Sequence, residues 1–118
     1  MTEQPERAER LSPTPDDAQR HLDRLAGRLR VMGPRLAGRS GPEAAEHLAA
    51  VRAALQAVAD LAADGEGQPH RPVPELAPHA LADQALVLGH DLLTAARDRG
   101  DLFRSRAVEA LDRVYALL

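Results

Sequence analysis

Residues 22–36 read LDRLAGRLRVMGPRL, and their leucines and methionine recur at alternating steps of three and four residues. At about 100° per residue, such steps place the apolar side chains along one side of an α-helix. The same rhythm returns between residues 48–62, 81–95 and 107–118. Four amphipathic helices in one short chain are typical of a helical bundle. The sequence therefore predicts an all-α protein, a small four-helix up-down bundle.

The length of the chain and its first residues predict the domain organisation. With 118 residues, the chain is long enough for one domain with a core of its own. Residues 1–13 are charged and lack apolar periodicity, which predicts a disordered tail before a single bundle domain at 14–118. No apolar run reaches the length of a bilayer span, and residues 1–10 do not resemble a secretory signal. We therefore expect a cytoplasmic protein without a membrane partner.

Local signals predict where the first two helices begin and end. Thr14 is the expected N-cap of the first helix. Gly33-Pro34 is expected to end or kink that helix, because proline lacks the backbone N–H. Ser40 and Glu43 fit a capping box for the second helix, which is expected to end at Asp64-Gly65.

The second half of the chain begins with a long loop. Residues 64–75 contain two glycines and three prolines, and we expect them to span one end of the bundle. The third helix is expected to begin between Glu75 and Pro78 and to end near Arg99. Because Gly100-Asp101 is a very short connection, the third and fourth helices are expected to be antiparallel neighbours.

The amino-acid composition limits what the charges mean. The chain contains no lysine, isoleucine or asparagine. Codons for these residues are rich in A and T, so we infer a GC-rich, bacterial genome. The formal net charge is −3, from 15 basic and 18 acidic residues, which does not indicate a general nucleic-acid binder. Because there is no cysteine, disulfide and thiolate chemistry are excluded.

Candidate catalytic and metal-ligating residues are sparse. Glu43, Glu46 and His47 open the second helix, but they point away from its apolar stripe. Metal centres in bundles need ligands that project into the core from several helices. No serine stands in a nucleophile-elbow sequence. We therefore expect no catalytic residue, no metal site and no cofactor.

A basic face on the first helix is the first candidate interaction surface. Arg20, Arg24, Arg28 and Arg35 lie opposite the apolar stripe. A patch of this kind suits phosphate groups or an acidic partner. Aspartates at helical spacing are positioned to neutralise it, and the chain has one tyrosine and one phenylalanine to stack on bases.

A second apolar stripe on the third helix is the other candidate. Its residues are Ala82, Leu86, Gly89, Leu93 and Ala96. A helix that is apolar on more than one side is either central or contacts another chain, and no helix is central in a four-helix bundle. The stripe therefore predicts an intermolecular surface, either a homodimer seam or a docking site for another protein.

These observations predict a small non-enzymatic protein–protein interaction or regulatory module that self-associates. One alternative is a nucleic-acid-associated protein that uses the arginine face of the first helix. A second alternative is a helical accessory subunit or small-ligand carrier, which a lined cavity between helices would support.

Overall fold

The computed structural model describes residues 12–118, which form four α-helices. Their bounds are α1 (Pro15–Ala37), α2 (Pro42–Glu66), α3 (Leu81–Ala96) and α4 (Asp101–Ala116), with a 3-10 turn at Pro78–Ala80 before α3. No strand occurs among residues 12–118. The predicted all-α four-helix bundle is confirmed. Of the predicted tail, residues 1–11 lie outside the described residues, whereas Pro13 lies inside them and accepts a hydrogen bond from Arg104.

The N-terminus of α1 is capped by Thr14, as predicted. The Thr14 hydroxyl accepts a hydrogen bond from the backbone N–H of Asp17 at 3.0 Å, and the Thr14 N–H donates to the Asp17 carboxylate at 2.9 Å. These two bonds form a capping box. The bond from the Thr14 N–H is also the main reason why the pKa of Asp17 is lowered.

The expected break at Gly33-Pro34 is absent, because α1 continues to Ala37. Pro34 lies in the last turn, where its missing N–H costs one backbone hydrogen bond. Leu36, beyond it, is buried in the core. The glycine has a separate role, since the carbonyl oxygen of Pro78 lies 2.8 Å from the position that a Cβ of Gly33 would occupy.

Both ends of α2 differ from the prediction. Gly41, not Ser40, is the N-cap, and no side chain caps this helix. Gly41 has a φ of 98°, which glycine adopts without steric cost. Because Pro42 suits the first helical position, α2 begins by backbone geometry and not by a capping box. The helix ends at Glu66 and is capped by Gly67, which is left-handed with a φ of 68°.

Gly65 therefore stays helical and does not end α2. A Cβ at this position would stand 2.7 Å from the ring of Phe103 and 3.0 Å from the Cβ of Ala95. The glycine thus allows α4 and α3 to approach α2 closely. In the second half of the chain, α3 ends at Ala96, three residues before the predicted end near Arg99. Gly100, with a φ of 84°, precedes α4.

Contacts between helices show the direction of each one. At one end of the bundle, Arg104 donates to the carbonyl oxygen of Pro13. Towards the other end, Arg28 donates to the carbonyl oxygen of Leu118. Residue numbers therefore rise together along α1 and α4, which run parallel.

The third helix runs opposite to α1. Gly89 lies against Leu22, and the turn that starts α3 lies against Gly33, near the end of α1. Along α2 and α3, in contrast, residue numbers rise together, since Leu55 and Gln84 line one cavity and Gly65 contacts Ala95 further along. Thus α2 and α3 run parallel to each other and antiparallel to α1 and α4. The order along the chain is up, down, down, up, and the alternation of the predicted up-down bundle is absent.

Helices α1 and α2 lie across the bundle from each other, as do α3 and α4, whereas α2 and α3 are neighbours. The most extensive contacts join α1 to α3 and α2 to α3, followed by α1 to α4 and α2 to α4. Because α2 and α3 are parallel neighbours, their connection runs along the length of the bundle, and the expectation that it spans one end is wrong. Helices α3 and α4 are antiparallel, as predicted, but they contact each other less than either contacts α1.

The four apolar stripes form the core, as the periodicity predicted. The largest fully buried side chains come from all four helices: Leu22, Leu25, Leu29, Val51, Leu55, Val58, Leu81, Leu92, Leu111 and Val114. Two stripe residues, Leu48 and Leu88, are half-buried at the margin of this cluster.

The close approach of α1 and α3 predicts opposite effects for two glycines inside helices. A Cβ on Gly27 meets nothing within 4 Å, whereas a Cβ on Gly89 would overlap the δ carbons of Leu22. Gly27→Ala is expected to raise the free energy of unfolding by about 0.5–1 kcal/mol through helix propensity. Gly89→Ala has the same gain but overpacks the contact, so it is expected to be less stable than Gly27→Ala by about 1–3 kcal/mol.

Denaturant unfolding followed by circular dichroism measures both variants. Equal stabilities of Gly27→Ala and Gly89→Ala would contradict the packing of Gly89 against Leu22.

Candidate functional site

The second apolar stripe of α3 is partly internal to the chain. Ala82, Gly89 and Ala96 are buried, and Gly89 lies directly against Leu22 of α1. Small residues here let the backbones of α1 and α3 approach closely. Because these three residues are buried within the chain, Leu86 and Leu93 are the part of the predicted seam that remains accessible to a partner.

The other two residues of the stripe line a groove at the surface. Leu86 is half-buried beside Val87, whose side chain is 63% exposed. Together with Leu22 of α1, they enclose an open cavity of about 370 Å³. We call this cavity the α1/α3 groove, and its lining residues are Gln19, Leu22, Leu86, Val87, His90 and Asp91.

The α1/α3 groove continues past Gln19 towards the N-terminus of α1. There it adjoins, at Gln19, a smaller cavity of about 210 Å³ whose lining includes Ala18 and Leu93 and the charged residues Asp16, Arg97 and Arg104. Both half-buried leucines of the predicted stripe thus lie along one surface channel between two helices. A channel with an apolar floor and polar edges is the geometry in which a helix or an extended peptide docks.

The basic face of α1 is partly neutralised within the chain. Arg20 pairs with Asp17, and Arg24 lies 3.6 Å from Asp112 of α4. The guanidinium of Arg24 also stands 4.3 Å from the centre of the Tyr115 ring. These contacts pair Arg20 within α1, hold Arg24 against α4 and lower the positive charge that the two residues present to a partner.

The remaining arginines of this face are less constrained. Arg28 donates to the carbonyl oxygen of Leu118 at 2.8 Å. Arg35 is exposed near the end of α1, and neither residue makes an ion pair with an aspartate or glutamate of residues 12–118. Val31, 52% exposed, lies between them on the same face. The free positive charge is therefore concentrated in the second half of α1.

The residues considered as metal ligands do not converge. Glu43 and Glu46 are exposed on the first turns of α2. The Nε2 atom of His47 lies 2.5 Å from the carbonyl oxygen of Leu117, at the end of α4. In the described part of the chain, no three histidine or acidic side chains are placed to hold a metal ion.

The connection between α2 and α3 creates a second cavity, which sequence reasoning missed. Residues 68–77, which we call the crossover loop, run along the junction of α2 and α3. Between the loop and the two helices lies an open cleft of about 440 Å³. Its walls are Ala59, Ala62, Ala63 and Glu66 from α2, Leu88 and Asp91 from α3, and Gln68, Pro69, Arg71, Pro72, Val73 and Pro74 from the loop. We call this cavity the crossover cleft.

Side chains of the helices hold the second half of the crossover loop. The amide of Gln56 accepts a hydrogen bond from the N–H of Val73 at 2.8 Å and donates to the carbonyl oxygen of Arg71 at 2.9 Å. From α3, Gln84 donates to the carbonyl oxygen of Pro74 at 2.8 Å. Arg52 donates to the carbonyl oxygen of Leu76 at the end of the loop.

Removing the Gln56 amide is expected to loosen this loop. Gln56→Ala leaves the Val73 N–H without its partner, and we expect a loss of about 1 kcal/mol in the free energy of unfolding. Gln19→Ala is the matched control, because Gln19 bonds Asp23 on the exposed surface of α1, where such a pair contributes about 0.2–0.5 kcal/mol.

Denaturant unfolding measures the free energy of unfolding of the two variants, and amide exchange measures the protection of the Val73 N–H. A Gln56→Ala variant as protected at Val73 as the wild type would show that Gln56 does not anchor the loop.

Comparisons with known proteins do not assign the chain to a family. No family model, curated protein or solved structure matches it. Within residues 12–118, no helix has both the length and the apolar character of a bilayer span. The functional argument therefore depends on the two cavities and the charged face described above.

Proposed function

We propose that this chain is a non-enzymatic protein–protein interaction module that self-associates through the α1/α3 groove. The observation that carries the proposal is the exposure of Val87 beside half-buried Leu86, above a floor formed by Leu22. Covering apolar side chains of this kind contributes about 25 cal/mol per Å² of area removed from water. The same groove suits a helix of another protein.

The regulatory role and the location belong to the same proposal. A module whose α1/α3 groove is covered in one state and exposed in another can regulate a partner without catalysing a reaction. The missing lysine, isoleucine and asparagine support a bacterial source, and we propose that the module acts in the cytoplasm.

A small-ligand carrier or accessory subunit is the second candidate function. The crossover cleft supports it, because a volume of about 440 Å³ falls within the usual range for small-molecule sites, about 300–1,000 Å³. Alanine and leucine side chains form the floor on α2 and α3, while Glu66, Arg71 and Asp91 supply charge at the walls.

Two exposed valines allow a matched test of self-association. Val87→Arg places a cation in the α1/α3 groove between Asp83 and Asp91, one turn away on either side, so the helix tolerates it. Val31→Asp is the control, since it puts an anion between Arg28 and Arg35 outside the groove. We expect Val87→Arg to weaken the dimer at least about tenfold, because a charge would be buried in the interface. Val31→Asp is expected to leave it unchanged.

Sedimentation velocity over a concentration series measures the dimer dissociation constants of the wild type and of both variants. A wild type that is monomeric at high micromolar concentration would remove self-association from the proposal. Equal weakening by both variants would contradict the placement of the interface in the α1/α3 groove.

The nucleic-acid alternative has its own test, by fluorescence anisotropy with labelled duplex DNA and RNA. Because Arg20 and Arg24 are paired within the chain, we expect no binding tighter than about micromolar near physiological salt. Tight binding with a log–log salt slope of about −3 to −4, lost in an Arg28→Ala/Arg35→Ala double variant, would instead favour a nucleic-acid-associated protein.

A further inference from the structure

The crossover loop must be held by side chains, because its own backbone offers few donors. Pro69, Pro72 and Pro74 lack an N–H and favour an extended chain. The loop forms no regular secondary structure between residues 68 and 77. Its second half is held by the amides of Gln56 and Gln84, which do not titrate.

The first half of the loop is attached differently, through a titratable group. The ring of His70 lies between two carboxylates of α2 that are one helical turn apart. Its Nε2 atom is 2.7 Å from Oδ1 of Asp64, and its Nδ1 atom is 3.6 Å from Oδ1 of Asp60. Each ring nitrogen therefore faces an acceptor.

This arrangement suits one protonation state of the histidine. A neutral imidazole carries a proton on one nitrogen, so its other nitrogen would turn a lone pair towards a carboxylate. The imidazolium donates from both nitrogens. The geometry thus favours the charged form, and the hydrogen bond to Asp64 is the largest cause of the raised pKa of His70.

We propose that the crossover loop is a pH-sensitive strap over the crossover cleft, closed while His70 is charged and loosened when it is neutral. The neighbours of His70, Pro69 and Arg71, both line the cleft. Release of His70 from α2 therefore frees one wall of the cavity and leaves the loop held by the amide anchors alone, so the Gln56–Val73 bond opens more often. The remaining charged groups around the cleft are Glu66 of α2, Arg71 of the loop and Asp91 of α3.

The direction of the switch follows from the raised pKa. The attachment is complete below the ordinary histidine value of 6.5, where His70 is charged in both the attached and the released loop. It is lost as the pH rises through the raised pKa of the attached state. Because His70 is half exposed, its interaction with the two carboxylates is weak. Its release changes the position of the loop and not the fold.

Imidazole NMR titrations of the full chain test the contact itself. Asp64→Asn removes the nearer carboxylate and keeps its shape, so it is expected to lower the pKa of His70. Asp98→Asn, in the link between α3 and α4, is the matched control and is expected to leave it unchanged. A His70 pKa that does not respond to Asp64→Asn would overturn the proposal.

Amide exchange at Val73, corrected for intrinsic rates, tests the motion. Across the titration of His70, the protection of Val73 in the wild type is expected to fall about two- to fivefold, the range of a surface ion pair. His70→Gln is expected to show the lower protection at both ends of the pH range. Protection that is constant in the wild type, or that still falls in His70→Gln, would overturn the proposal.

Discussion

The contact between Leu22 of α1 and Gly89 of α3 is the constraint on which the rest of the bundle depends. The δ carbons of Leu22 occupy the space that a Cβ of Gly89 would fill. Buried Ala82 and Ala96 lie on the same side of α3 and extend the close approach along the helix. Because α3 takes this place beside α1, α2 lies across the bundle from the helix that precedes it.

The order of the helices produces both cavities. With α2 and α3 parallel, the chain must return along the bundle before α3 begins, and the returning segment forms the wall of the crossover cleft. Between α1 and α3, the α1/α3 groove remains at the surface, since the small residues that bring the helices together leave Leu86 and Val87 partly uncovered. The position of α3, beside α1 and parallel to α2, thus accounts for the α1/α3 groove, the crossover cleft and the crossover loop that covers the cleft.

The sequence predicted the features that depend on local pattern. Periodicity identified the residues that form the core, and Thr14 caps α1 as expected. The capping box predicted at Ser40 is absent, because the backbone angles of Gly41 and Pro42 already start α2. The end of α2 was misplaced because Gly65 serves as a contact with Phe103, which is distant in sequence.

Packing within the chain accounts for the buried residues of the second stripe of α3, which the sequence assigned to an intermolecular surface. A helix between two neighbours needs an apolar arc wide enough for both, and α3 packs extensively on α1 as well as α2. Sequence alone does not distinguish such an arc from a dimer seam. The crossover cleft could not be predicted from the sequence, because it depends on which helices pack against each other, and no local signal encodes that pairing.

The central claim is that Gly89 meets Leu22 of its own chain, and isotope-filtered NOE spectroscopy tests it most directly. In a uniformly labelled sample, the δ-methyl groups of Leu22 should show a strong NOE to the α protons of Gly89. In a mixture of labelled and unlabelled protein, filtered to retain contacts between chains, the account predicts that this NOE disappears. A persisting NOE would place Gly89 at an interface between two copies and contradict the arrangement of α1 and α3 described above.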